Sequence, residues 1–198
     1  MKRIATIALV FLAFVGTAPA VSPLEEVKAT TEKILLVLKD SKMQGEEKKS
    51  ERRKLVRDEM EKRFAWEESA RACLGRHWIK RTPAEKAEFV KLFSEFLKDT
   101  YSDKVATYYG DLEKVDYQGE KIQDDYASVK LVLKTKAKVD HPLEYRMEKA
   151  SDDWKVYDVV IEGVSMVKNY RDQFDAIIAK SSYEGLLKEI KAKQPVKP

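Results

Sequence analysis

Two carboxylates, Asp158 and Glu162, come closest to an acid–base pair in this chain. Four positions apart, they lie on the same side of a strand that is otherwise apolar. A buried carboxylate is costly unless it is paired, so each needs a partner, such as Arg171, or marks a strand edge. If either pointed into an apolar pocket with a raised pKa, it would be a candidate general acid or base. An enzyme that uses this pair is therefore one hypothesis.

The other reactive side chains match no catalytic or metal-binding pattern. The chain has two histidines, His77 and His141, and one cysteine, Cys73. These numbers exclude an internal disulfide framework and a cysteine-based metal cluster. The seven glycines are scattered and form no phosphate-binding loop motif. We expect no metal and no cofactor.

The first twenty of the 198 residues have the three parts of a secretory signal peptide. A basic start is followed by an apolar run over 4–15 and by small residues before a cut after Ala20. Val21 stands where a lipoprotein would have its cysteine. The segment holds two of the 38 basic residues and none of the 34 acidic ones, so residues 21–198 carry a net charge of +2. A nearly neutral chain does not favour nucleic acid as a partner.

Hydrophobic periodicity predicts helices, then strands, then helices. Short connections between the strands favour an antiparallel meander. The fold class is therefore α+β, with a sheet of about four antiparallel strands and helices on one face. The predicted helices cover 23–41, 46–63 and 66–74, a stretch that Thr82 caps, one that begins at Ser165 or Asn169, and one that begins at Ser182. The predicted strands lie at 112–117, 126–135, 143–148 and 154–161.

Residues 46–63 form a dense run of eight basic and six acidic side chains. The ordinary interpretation is a solvated helix with ion pairs between neighbouring turns. The alternative is a docking face for a charged partner. A non-lipid adaptor protein with a filled core is therefore a second hypothesis.

Two segments carry a family resemblance. The first is residues 63–78, RFAWEESARACLGRHW, followed by TPAE at 82–85 with Phe89 and Phe93 after it. The second is WKVYDVVIEGVS at 154–165, continued by NYRDQF at 169–174. Together they resemble the MlaC/toluene-tolerance family of periplasmic lipid-binding proteins, over about residues 24–190.

The resemblance implies a fold, a location and a function. The expected fold is a curved antiparallel sheet packed by helices, nuclear-transport-factor-2-like, with an N-terminal helical subdomain. The expected function is a soluble periplasmic carrier, not an enzyme. It would hold phospholipid acyl chains and shuttle lipid between an outer-membrane lipoprotein complex and an inner-membrane ABC transporter complex. We expect transient contacts with both complexes and a monomeric protein. A hopanoid or another lipid as cargo stays open.

The same resemblance makes an apolar pocket the expected site, although identical residues would also suit a dry, filled core. Candidate headgroup contacts are Arg146, Lys168 and Arg171. The predicted domain covers 21–192, mainly helical over 21–110, sheet over 111–163 and helical over 164–192, with a disordered tail at 193–198. The predicted pocket wall comprises Phe93, Phe96, Leu97, Tyr101, Val129, Leu131, Leu133, Tyr145, Met147, Val159, Ile161, Val164, Met166, Tyr170 and Phe174.

Overall fold

A computed structural model of the protein describes residues 21–151 and 153–193, and their side chains except those of 106–110. The predicted signal peptide and residues 194–198 lie outside the described residues, whereas Lys193, assigned to the tail, ends the last helix. The helices are α1 (Pro23–Lys39), α2 (Lys49–Arg63), α3 (Trp66–Leu74), α4 (Pro83–Gly110), α5 (Met166–Lys180) and α6 (Tyr183–Lys193), with short 3-10 turns at Ser41–Met43, Glu46–Lys48 and Gly75–Lys80.

The sheet is an antiparallel meander in which each strand pairs with the next in the chain. Its described strands are β1 (Leu112–Gln123), β2 (Tyr126–Thr135), β3 (Asp140–Ala150), β4 (Asp153–Ile161) and β5 (Val164–Ser165). The predicted α+β class is confirmed. The expectation of about four strands missed the two-residue β5, which is too short to show a periodicity of two.

Local side-chain caps fix where two helices begin. At the start of α4, the Thr82 hydroxyl accepts a hydrogen bond from the Glu85 amide, while the Glu85 carboxylate accepts one from the Thr82 amide at 2.7 Å. This reciprocal pair is a capping box, and it confirms Thr82 as the predicted cap. At α5, the Ser165 hydroxyl accepts from the Lys168 amide, so Ser165, rather than Asn169, is the cap.

An aromatic layer joins the first half of α4 to α5. The Phe93 ring lies 5.8 Å from Phe174 and 5.9 Å from Tyr170, in edge-to-face contacts. Phe96 meets Tyr170 in the same way at 5.6 Å. These contacts are close-packed and favourable beyond simple burial. The layer is therefore a filled part of the core.

A bulge in β4 changes which side chains face the helices. Met147 pairs with Val156 and Arg146 pairs with Asp158, so Tyr157 is an extra residue on β4. Side chains alternate along a strand, and one inserted residue shifts that alternation. Val156, before the bulge, therefore lies on the same sheet face as the residues at 159 and 161, after it.

No helix within 21–151 and 153–193 is both long enough and apolar enough to span a membrane.

Candidate functional site

A cavity of about 310 Å³ lies between the sheet and the helices. Small-molecule sites in proteins span roughly 300–1,000 Å³ and are lined mainly by apolar side chains. This cavity is at the small end of that range, and aliphatic and aromatic residues make up most of its wall. Its chemistry suits a slender apolar ligand.

Helices α1 to α4, with the first residue of α5, supply one side of the cavity. The buried stripe of α1 contributes Val27, Thr31 and Ile34, spaced so that all three lie on one helix face. The second half of α4 adds a further turn-by-turn stripe. The helical lining, with the linker residue at 64 and the first residue of α5, comprises Val27, Thr30, Thr31, Ile34, Met60, Arg63, Phe64, Trp66, Leu97, Tyr101, Lys104, Val105 and Met166.

One face of the sheet supplies the other side. Tyr145 pairs with Val159, and Leu143 pairs with Ile161, so these four side chains stand next to each other across β3 and β4. The strand lining comprises Leu133, His141, Leu143, Tyr145, Val156, Val159 and Ile161.

Seven of the fifteen residues predicted for the pocket line this cavity. Both the helix and the strand candidates are represented. The seven are Leu97, Tyr101, Leu133, Tyr145, Val159, Ile161 and Met166. Their role in lipid binding stays a prediction.

The other eight lie elsewhere in the fold. Phe93, Phe96, Tyr170 and Phe174 belong to the aromatic layer between α4 and α5, where burial raises the pKa of the Tyr170 hydroxyl. The buried β-strand residues Val129, Leu131 and Met147 lie on the inward sheet face but not in the cavity wall. Val164, in β5, is 62% exposed.

The three residues predicted to contact a lipid headgroup do not line the cavity. Arg146 pairs with Asp158 at 3.2 Å, and Lys168 pairs with Asp172 at 2.7 Å. The Arg171 Nε donates to the carbonyl of Ala72 at 2.6 Å. Lys104 is instead the exposed cation in the lining, with its ammonium 5.1 Å from the centroid of the Tyr101 ring.

Arg63, although it lines the cavity, is held by the protein itself. Its Nε donates to the Thr30 hydroxyl at 3.0 Å, and its Nη1 donates to Asp153 at 3.0 Å and to the Trp154 carbonyl at 2.6 Å. Its Nη2 donates to Glu26. Because all three nitrogens have acceptors, this guanidinium joins α1 to β4 and is satisfied without a ligand.

The carboxylates proposed for an acid–base pair are not in the cavity wall. Asp158 is 1% exposed and accepts hydrogen bonds from the Ser165 hydroxyl at 2.6 Å and the Val167 amide at 2.9 Å, besides its ion pair with Arg146. It therefore anchors the start of α5. Glu162 is exposed and pairs with His141 at 2.7 Å. The enzyme hypothesis required one of these two to point into the cavity, and neither lines it.

The remaining potentially reactive side chains, Cys73 and His77, are held in contacts that stabilise the fold. Cys73 is 1% exposed, and burial raises the pKa of its thiol, so the reactive thiolate is disfavoured. His77, in the 3-10 turn after α3, contacts Asp175 of α5 at 2.7 Å, and neither residue lines the cavity. Among the described residues, no group of three or more His, Cys, Asp or Glu side chains is placed to hold a metal ion.

Sequence reasoning missed the contribution of α1 and of the α2–α3 junction to the wall. The signal for α1 was present, because Val27, Thr31 and Ile34 form one stripe and a threonine interrupts its apolar character. Met60 and Trp66 gave no such signal, since a charged run and a short helix surround them. Their position depends on how α2 and α3 pack against α4, which periodicity does not report.

Comparisons with known proteins match this architecture. The phospholipid-binding protein of Ralstonia solanacearum, solved in complex with a phospholipid, has the same fold with a TM-score of 0.76. It is 23% identical, and the match covers 88% of this chain and 97% of that one. The intermembrane phospholipid transport system binding protein MlaC of Haemophilus influenzae is 22% identical over 149 residues, which are 73% of this chain and 70% of the relative. The family model described as MlaC protein matches residues 28–192, and the chain therefore belongs to the MlaC family.

Proposed function

We propose that this chain is a periplasmic lipid carrier that holds phospholipid acyl chains in the cavity between α1, α4 and the sheet. The observation that carries the proposal is the cavity itself, about 310 Å³ in volume and mostly apolar in its wall. Membership of the MlaC family supports it. So do the relatives, one named for phospholipid transport and one solved with a phospholipid.

The energetics of moving a lipid through water explain why such a cavity is needed. Burying one methylene group away from water is favourable by about 0.8 kcal/mol. Exposing a sixteen-carbon chain to water therefore costs on the order of 12 kcal/mol. A carrier must offset most of this cost and still release its cargo. An apolar wall with few polar groups meets the first requirement. An opening near the exposed Lys104 would allow entry and release, and we assign the phosphate of the headgroup to this lysine.

We further propose that the carrier works as a monomer between two transport complexes. It would take lipid from one and deliver it to the other through transient contacts with an outer-membrane lipoprotein complex and an inner-membrane ABC transporter complex. The expected signal peptide over 1–20 would place it in the periplasm.

Native mass spectrometry of the protein purified from a Gram-negative periplasm tests the proposal. We expect a mass that exceeds the 21–198 polypeptide by about one phospholipid, and solvent extraction then identifies the headgroup. A hopanoid in the extract would support a lipid carrier but would show that its cargo is a hopanoid and not a phospholipid. A bare polypeptide mass that stays unchanged after incubation with liposomes would contradict the proposal.

A further inference from the structure

An exposed valine in β5 continues the cavity wall at the edge of the sheet. Ile161 of β4 lines the cavity, and Val164 is its directly opposite partner in β5. Directly opposite residues of antiparallel strands have their side chains on the same face of the sheet. Val164 therefore lies on the cavity face, yet it is 62% exposed.

A second exposed valine, Val139, is placed in the same way just before β3. It lies two residues before His141, which lines the cavity, so the alternation of side chains puts both residues on one face. Its carbonyl accepts a hydrogen bond from the Thr135 amide at 3.1 Å, which extends the pairing of β2 and β3 to this residue. Val139 is 48% exposed. We call Val139 and Val164 the apolar rim.

The apolar rim lies beside the part of the cavity wall that reaches solvent. The lining residues next to it, His141 and Ile161, are only half-buried, and Lys104 of the lining is exposed. The Glu162 amide donates to the Pro142 carbonyl at 3.0 Å, which ties the turn between β4 and β5 to β3. The exposure of this apolar face therefore belongs to a hydrogen-bonded part of the fold.

The charge around the apolar rim is balanced. Segments 136–141 and 162–165 contain two lysines and two acidic residues, so their net charge is zero with histidine neutral. Lys138 pairs with Glu113 at 2.7 Å, and Glu162 contacts His141 at 2.7 Å. This balance does not favour a strongly charged partner.

The size of the apolar rim favours a membrane over a protein surface. A stable protein–protein interface buries about 1,200–2,000 Å², and two valine side chains supply only a small part of such an area. Binding to a bilayer instead scales with whatever apolar area is inserted, so two side chains give a weak and brief contact. A brief contact suits a protein that must leave the membrane again with its cargo.

We propose that the apolar rim inserts into the headgroup layer of a phospholipid bilayer, so that the carrier exchanges lipid with the bilayer directly, without a protein partner. An acyl chain would then pass from the bilayer over Val139 and Val164 into the cavity with little exposure to water. This inference rests on the proposed function, because it names the surface at which the proposed carrier loads and unloads.

Lipid transfer between protein-free vesicles tests the inference. Donor vesicles contain a self-quenched fluorescent phospholipid, acceptor vesicles contain phosphatidylcholine, and the rise in fluorescence gives the transfer rate of the exported, purified protein. We expect a rate that increases with acceptor concentration. The double variant Val139→Ser/Val164→Ser should be at least about tenfold slower, because serine removes the apolar area that enters the bilayer. The control Leu36→Ser/Ile79→Ser changes two exposed side chains outside the cavity wall and should transfer like wild type.

The outcomes separate the inference from the proposed function. Equal rates for the two double variants would overturn the inference. A wild type that holds lipid in native mass spectrometry but transfers it only to vesicles with membrane proteins would also overturn it, and would leave the proposed function intact. A wild type that neither holds nor transfers lipid would overturn both.

A second measurement does not depend on the serine variants. Val164→Trp and the control Ile79→Trp each place an indole at an exposed position. Vesicles with brominated acyl chains quench indole fluorescence on contact. We expect quenching beyond that of wild type for Val164→Trp and none for the control. Equal quenching of both variants, or of neither, would contradict the inference.

Discussion

Arg57 on α2 reaches across to Glu95 on α4, with its Nη2 2.7 Å from a carboxylate oxygen. Its Nη1 contacts Asp99, which also binds Arg53 at 3.2 Å. The charged residues at 46–63 thus form ion pairs between α2 and α4 as well as pairs at the protein surface. Because α2 contributes Met60 to the cavity wall, these ion pairs hold one wall of the site in place.

This network predicts a measurable coupling between α2 and α4. In a double-mutant cycle of Arg57→Ala and Glu95→Ala, we expect about 0.5–1 kcal/mol of coupling in the free energy of unfolding, reduced at high salt. Urea unfolding at two salt concentrations measures it. The control pair Lys54 and Asp58, exposed within α2, should couple by no more than about 0.5 kcal/mol. Equal coupling in both pairs would argue against a role for the network.

Filling the cavity should remove lipid without unfolding the protein. Val159→Trp places a large ring against the side chain of Tyr145 and occupies space that an acyl chain needs. We expect at least about tenfold weaker lipid retention, equivalent to 1.4 kcal/mol, with a native circular dichroism spectrum. The control Val132→Trp lies on the opposite face of β2, outside the wall, and should retain lipid. A folded Val159→Trp protein that carries as much lipid as wild type would exclude Val159 from the site.

Asp158 should matter for stability and not for cargo. Asp158→Ala leaves the Val167 amide and the Ser165 hydroxyl without their acceptor in a buried place. We expect about 2–4 kcal/mol lower stability. The control Glu144→Ala removes a contact to the same Arg146 from a more exposed position and should cost less than about 1 kcal/mol. Folded Asp158→Ala protein should still carry lipid. If the folded variant carried no lipid, a role for this carboxylate in the cavity would have to be reconsidered.

The capping box at the start of α4 predicts a pH dependence. The hydrogen bond that the Thr82 amide donates to the Glu85 carboxylate, together with the Thr82 side chain, holds the pKa of Glu85 below its ordinary value of 4.5. A carboxylate with a lowered folded pKa stabilises the protein above its unfolded pKa, and that contribution is lost as the pH falls through the folded pKa. Wild type should therefore melt at a higher temperature than Glu85→Gln at pH 7, and the difference should narrow below pH 4.5. A constant difference from pH 7 to pH 3 would contradict this assignment.

Local patterns predicted the elements well and the cavity only in part. The capping box at Thr82 and the alternation in β2 depend on residues close in sequence, and both appear as expected. Whether an apolar stripe meets a packed layer or an open space depends on what lies opposite. Phe96 and Tyr101 share one helix, yet the first packs on α5 and the second lines the cavity.

The bulge at Tyr157 is a second feature that local sequence patterns did not predict. A strict period of two places Val156 on the face opposite Val159, and the inserted residue brings both to the cavity side. The position of Arg63 is a third such feature, because an arginine is not expected in an apolar cavity wall. Its acceptors come from α1 and β4, more than thirty residues away in sequence, and no local pattern reports them.

Photo-crosslinking is the most direct test of whether acyl chains occupy this cavity. A phospholipid with a diazirine near the end of one chain is loaded onto the protein, irradiated, and the modified residues are located by mass spectrometry. We expect adducts on cavity-lining residues such as Ile34, Met60 and Leu143. Adducts confined to the outer surface, for example at the exposed Ile79, or no adduct on a lipid-loaded protein, would contradict it.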